Sequence, residues 1–126
     1  QEILQKNYSV DDHINKANEN IKSMFLNLRE KITALDEDII EEPKAKYIAY
    51  KTSTNFVDVV ILHSSLKIFL NVKSGELNDP SGIARDLAQP KPVGHWGNGD
   101  YEVKLEKENE LDAVFGLIKQ SYDLNK

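Results

Sequence analysis

The sequence predicts an α+β domain, a two-layer sandwich in which an antiparallel sheet of about four strands carries N-terminal and C-terminal helices on one face. Three observations predict it. Apolar residues recur at helical spacing near both ends, the middle alternates with period two, and the first strand-like runs are joined by links short enough for hairpins. The expected order is α-β-β-β-(short α)-β-α.

The first helix rests on Ile14, Ala17, Ile21, Phe25, Leu28, Ile32 and Leu35, spaced by three and four so that they line one face. Ser9 and Asp12 suit a capping box at its start, and Asp11 and Asp12 sit well near the positive end of the helix dipole. Pro43 forbids continuation, so the helix is expected to end near Asp36. Residues 1–8 read as a flexible lead-in and residues 9–126 as one domain. The strands expected are Tyr47 to Thr52, Phe56 to Leu62, Leu66 to Lys73 and Tyr101 to Glu106, all rich in β-branched and aromatic residues. Within the third, Leu66, Ile68, Leu70 and Val72 face one way and Lys67, Phe69, Asn71 and Lys73 the other. The stretch between the third and fourth strands is too long for a bare loop. Asp79 and Pro80 offer a cap and first position, predicting a short helix to about Ala88. Leu111, Val114, Phe115, Ile118 and Tyr122 predict the last helix, with Asn109 and Asp112 as its start signal.

The chain has 126 residues and no cysteine, which excludes disulfides, thiolate catalysis and cysteine-ligated metal. A cytoplasmic setting is the expectation, since no apolar run approaches the roughly 18 to 20 residues of a membrane span and the start lacks a secretory pattern. A first residue that is glutamine, not methionine, fits a segment of a longer protein. The net charge of −5 disfavours nucleic acid as a partner, yet the charge is uneven. Residues 1–42 carry −5, residues 43–105 carry +2 and residues 106–126 carry −2. The middle segment can therefore present a basic surface.

The run "GHWGNGDYEV" from Gly94 to Val103 holds the only tryptophan. Asn98-Gly99 before a strand is a turn signal, and Gly94 and Gly97 let the backbone bend around Trp96. One reading is a turn pinned to the sheet by the buried indole of Trp96. The other is a ligand-facing loop in which Arg85, Asp86, His95, Trp96, Asn98 and Asp100 are the candidate binding residues. His95 beside Asp86 or Asp100 could orient an imidazole, but no serine lies in a nucleophile setting such as G-x-S-x-G, so no catalytic residue is assigned. No metal-ligand spacing, P-loop or dinucleotide fingerprint is present, and no cofactor is expected. Arg85 next to Asp86 reads either as a carboxylate or phosphate fork or as a tie between the short helix and its loop. On the second sheet face, Lys51, Lys67, Phe69 and Lys73 form the candidate nucleic-acid surface, joined by Tyr47 or Tyr50 and by Lys104.

The segments "KYIAYKTSTNFVDVV", "NDPSGIARDLA", "GHWGNGDYEV" and "LIKQSYDL" resemble a bacterial family of unknown function, domain of unknown function 5655, some members of which are labelled "predicted transport protein". The resemblance spans Tyr8 to Asp123 and implies either a free-standing protein or a C-terminal module behind other domains, restriction-type nuclease regions among them. It supplies no catalytic residues. The transport label fits poorly with a chain that has no spanning segment.

The function expected from these readings is a non-catalytic recognition or interaction module, acting through the Gly94 to Asp100 loop and the adjoining sheet face, as an accessory domain of a DNA-processing protein. The alternative is a small ligand-binding protein or enzyme using the His95, Asp86 and Arg85 region. A protein partner or fused upstream domain is expected and a membrane is not. Self-assembly through the apolar first helix is a third reading, which predicts a dimer.

Overall fold

The computed structural model describes residues 8–88 and 99–126. The elements run α1 (Val10–Ile14), α2 (Glu19–Thr33), β1 (Ile40–Pro43), β2 (Ile48–Lys51), β3 (Asn55–Ile61), β4 (Leu66–Leu70), β5 (Ala84–Asp86), β6 (Tyr101–Leu105) and α3 (Leu111–Asn125). The strands form one antiparallel sheet in the order β1-β2-β3-β4-β6-β5, with α2 and α3 over one face. The expected sandwich is present with six strands in place of four.

The expected first helix is two helices. Ser9 and Asp12 form the reciprocal capping box that starts α1. The break comes at Asn18, whose side-chain oxygen accepts from the Ile21 N–H at 2.9 Å while its own N–H donates to the His63 carbonyl at 2.9 Å. Asparagine competes with the helical backbone in this way, so α2 begins afresh there. The apolar spacing survives the break because Ala17, Ile21, Phe25, Leu28 and Ile32 all enter the same core.

Alternation decides which strand residues meet the helices. Val57, Val59 and Ile61 of β3 pair with Leu70, Ile68 and Leu66 of β4, which pair in turn with Tyr101, Val103 and Leu105 of β6. All nine are buried in the core under α2 and α3. Between Tyr50 and Lys51 the β2–β3 register shifts, and Phe56 is turned into the core, where its ring meets Tyr122 edge-on at 5.3 Å. Tyr50 is also fully buried there, so it does not join the second sheet face as the sequence reading allowed.

Two differences concern the sheet edges. β1 was not among the expected strands; it ends on Pro43, and a proline is admissible on an edge strand, where no N–H is needed. The short helix expected from Pro80 to Ala88 is absent, and β5 stands in its place, paired to β6 at Ala84↔Val103, Arg85↔Glu102 and Asp86↔Tyr101. Asp79 does cap, but it caps a turn: its carboxylate accepts from the N–H groups of Ile83 at 3.2 Å and Ala84 at 2.8 Å. Gly82 at φ +63° stops helix propagation, and the open edge of β6 takes the residues that follow.

Candidate functional site

The long connection between β4 and β6 leaves the sheet through a small polar cluster. The Ser74 N–H donates to Asp100 Oδ2 at 2.9 Å and its hydroxyl donates to Asp86 Oδ2 at 2.6 Å. The Gly75 N–H donates to the Tyr101 hydroxyl at 2.8 Å, and Asp86 Oδ1 accepts from the Ala88 N–H at 2.9 Å. Backbone bonds complete it, Asp100 N–H to Val72 at 2.9 Å and Leu87 N–H to Asp100 at 2.7 Å. Gly99 lies against the end of β4 at φ +83°, and a Cβ there would collide with the Leu70 carbonyl, Asn71 Cα and Val72 N. Position 99, the second residue of the Asn98-Gly99 signal, therefore needs a glycine, while Asn98 lies outside the described residues.

Asp86 and Asp100, both singled out in the sequence, therefore spend oxygens on the chain that enters and leaves this connection. Arg85 and Asp86 cannot tie a short helix to its loop, since they lie on a strand and face opposite ways. Arg85 is exposed and stands opposite Glu102, whereas Asp86 stands opposite Tyr101 and reaches Ser74. His95, Trp96 and Asn98 lie outside the described residues, and with them both readings of the tryptophan.

The sheet face away from the helices carries a row that crosses every strand: Glu42, Ala49, Asp58, Phe69, Glu102 and Arg85 are successive cross-strand neighbours. Asp58 at its centre is 2 % exposed, and its one side-chain hydrogen bond among the described residues is from Asn55 Nδ2 at 3.2 Å. Burial pushes its carboxyl up to about 6, and the Asn55 hydrogen bond opposes that shift. Phe69 is 6 % exposed, so its ring is closed to a stacking base. A second row sets Val60 opposite Lys67 and Lys67 opposite Lys104.

The four lysine and phenylalanine candidates thus separate. Lys67 is half-buried and makes no ion pair among the described residues, while Lys104 reaches Glu106 at 3.5 Å. Lys51 is held by Glu42 at 3.2 Å, and that contact, with Lys44, draws the Glu42 carboxyl below its ordinary value. Lys73 is exposed just beyond β4. Asp58 was missed, although a lone acid inside the apolar run "FVDVVIL" marks a central strand position that faces away from the core. Ser74 carried no signal, because its partners lie 12 and 26 positions away.

Among the described residues no group of three His, Asp or Glu side chains is placed to hold a metal, and no helix is long and apolar enough to cross a membrane. The family described as "Domain of unknown function (DUF5655)" matches residues 10–125. An "Uncharacterized protein" of Haemophilus influenzae is 36 % identical over 116 residues, which is 92 % of this chain and 37 % of that protein. The chain thus spans well under half of the curated relative it matches. No solved structure matches.

Proposed function

We propose that this chain, which belongs to the DUF5655 family, is a non-catalytic recognition module of a larger protein that meets nucleic acid across the sheet face away from the helices. The observation that carries the reading is the Lys67–Lys104 pair, two like charges directly opposite on adjacent strands. Such a pair destabilises a sheet by a few tenths of a kcal/mol to about 1 kcal/mol, and an anion laid across it removes the repulsion. Arg85 and Lys73 extend the positive charge along the same middle segment, whose balance is +2, while the segment carrying α1, α2 and most of β1 has −5. Residues 1–42, which carry α1, α2 and most of the outermost strand β1, hold the acidic excess, so a polyanion can approach an acidic protein at the β4–β6 side of the sheet. Phosphate contacts of this kind position a strand without reading its bases. The module reading is supported by the Haemophilus relative, in which the matched region is 37 % of the length. The role that follows is an accessory domain that holds substrate for a DNA-processing neighbour.

The commitments of Asp86 and Asp100 to the Ser74 turn support the non-catalytic part of the reading. Fluorescence anisotropy with labelled single-stranded and duplex oligonucleotides at about 50 and 200 mM salt tests the whole. The expected result is micromolar, salt-sensitive binding that weakens about tenfold or more in the Lys67→Glu/Lys104→Glu variant. Equal binding by that variant, or none at tens of micromolar protein in low salt, would sink it.

A further inference from the structure

The opposite part of the molecule carries a second surface. β1 pairs with β2 alone among the described residues, so its other side is an open sheet edge. The hairpin that joins β1 to β2 fixes which backbone groups that edge offers. Lys44 N–H donates to the Tyr47 carbonyl at 2.7 Å, so the bonded pairs going back along the strand are Glu42↔Ala49 and Ile40↔Lys51. Glu41 and Pro43 then turn their backbone outward. The edge presents one donor, the Glu41 N–H, and two acceptors, the Glu41 and Pro43 carbonyls.

Beside this edge lies a groove of about 500 Å³ between β1 and α2, lined by Leu26, Arg29, Glu30, Thr33 and Glu41. Its wall is rigid. Arg29 donates to both oxygens of Glu41 at 2.8 Å, and the buried Tyr50 hydroxyl donates to Glu41 Oε2 at 2.7 Å. Two large apolar side chains flank the edge in water, Leu26 at 45 % exposure on the helix side and Ile40 at 51 %. Cross-strand neighbours share a face, so Glu41 lies on the core side with Tyr50 and Ile40 lies on the other with Lys51. A strand added beside β1 would place alternate side chains against Leu26 and against Ile40.

Charge selects the occupant. Glu41 is paired with Arg29, and Glu42 with Lys44 and Lys51 of the adjoining hairpin, but Glu30, Glu37 and Asp38 are exposed with no ion pair among the described residues, against the hairpin's single unpaired Lys46. A second copy of this chain is disfavoured, because pairing β1 with itself would bring two such acidic segments together and leave Pro43 without a donor on either side. We infer that the β1 edge and the α2 groove form a docking site for an extended basic peptide, one alternating apolar residues with lysine or arginine, which adds to the sheet as a further strand. This surface is separate from the lysine pair of β4 and β6, and either can fail without the other.

The test uses the whole chain and a labelled short peptide alternating valine and lysine, with one control carrying glutamate for lysine and another with a central proline. The expected result is binding of the lysine peptide alone, weakening about tenfold or more between about 50 and 300 mM salt. Amide exchange is expected to slow at Glu41, and both Leu26→Asp and the exposed substitution Glu30→Lys should weaken binding severalfold. Equal binding of either control, protection confined to other strands, unchanged affinity in both variants, no binding at all, or a dimer formed through β1 would each overturn the inference.

Discussion

At one margin of the sheet β1 leaves a groove beside it and Ile40 in water; at the other β5 is three residues long and tied down at both ends. Asp79 holds the start of β5 through two backbone N–H groups, and Asp86 at its end is joined to Ser74 and Ala88. Both are outer strands of the same antiparallel sheet, but their side-chain hydrogen bonds do different things. At β5 they fasten the strand's own backbone. At β1 the main polar group, Arg29–Glu41–Tyr50, faces inward and braces the wall of the groove, and among the described residues no strand pairs with the outer backbone. An edge closed by brevity and caps is protected from pairing, while an edge backed by a stiff wall is prepared for it.

The largest way to break the contrast is Gly99→Ala, which drives a Cβ into the β4 backbone next to the β6–β5 margin. The expected loss is about 3 kcal/mol or more in urea unfolding, with β5 amides exchanging fastest in whatever folded protein remains. At the other margin, Glu41→Ala strands the Arg29 guanidinium and the buried Tyr50 hydroxyl, for an expected loss of about 2 to 3 kcal/mol by the same measurement. That variant should speed exchange in β1 and leave β5 unaffected. Midway between the margins, Asp58→Asn should stabilise the protein at pH 7.5 by on the order of 2 kcal/mol. The sign follows from linkage. Asp58 is raised from 3.8 to about 6, so the folded state holds the proton more tightly, and the stability this gives is complete below about pH 4 and lost as pH rises through about 6. The gain from asparagine, followed by thermal unfolding at several pH values, is therefore expected to vanish near pH 4, and a gain that persists there would refute the burial account. The smallest effect is reserved for Ile40→Lys, within about 0.5 kcal/mol, because that side chain is already half in water. A large loss there would mean that β1 is not an open edge.

Some of this was legible one residue at a time. The capping box at Ser9 and Asp12 is local, and it formed as read. The meander of β2, β3 and β4 depends on period-two runs and short links, and it formed too. The asparagine-glycine pair singled out Gly99, which does take a positive φ, though the crowding that makes a glycine necessary comes from β4, far along the chain. Residues 78–88 show where such reading stops. Asp79 and Pro80 are as good an opening for a helix as for a turn, and the choice fell to the open edge of β6, about twenty residues further on. The candidate site divides in the same way. Alternation alone put Lys67 on the face away from the helices, but only the register set it opposite Lys104, and only burial closed Phe69 and raised Asp58.

By itself the sequence determined the helix faces, the alternating strands, the fold class and the uneven charge, since each depends on periodicity or composition within a few neighbours. The tertiary structure alone decided that Val57, Leu70 and Tyr101 share one cross-strand line, that Asp86 and Asp100 serve the turn at Ser74, and that β1, beside α2, pairs with β2 alone among the described residues. Those outcomes depend on which distant backbone groups find one another, and hydrogen-bonding groups taken out of water must find a partner wherever the fold supplies it.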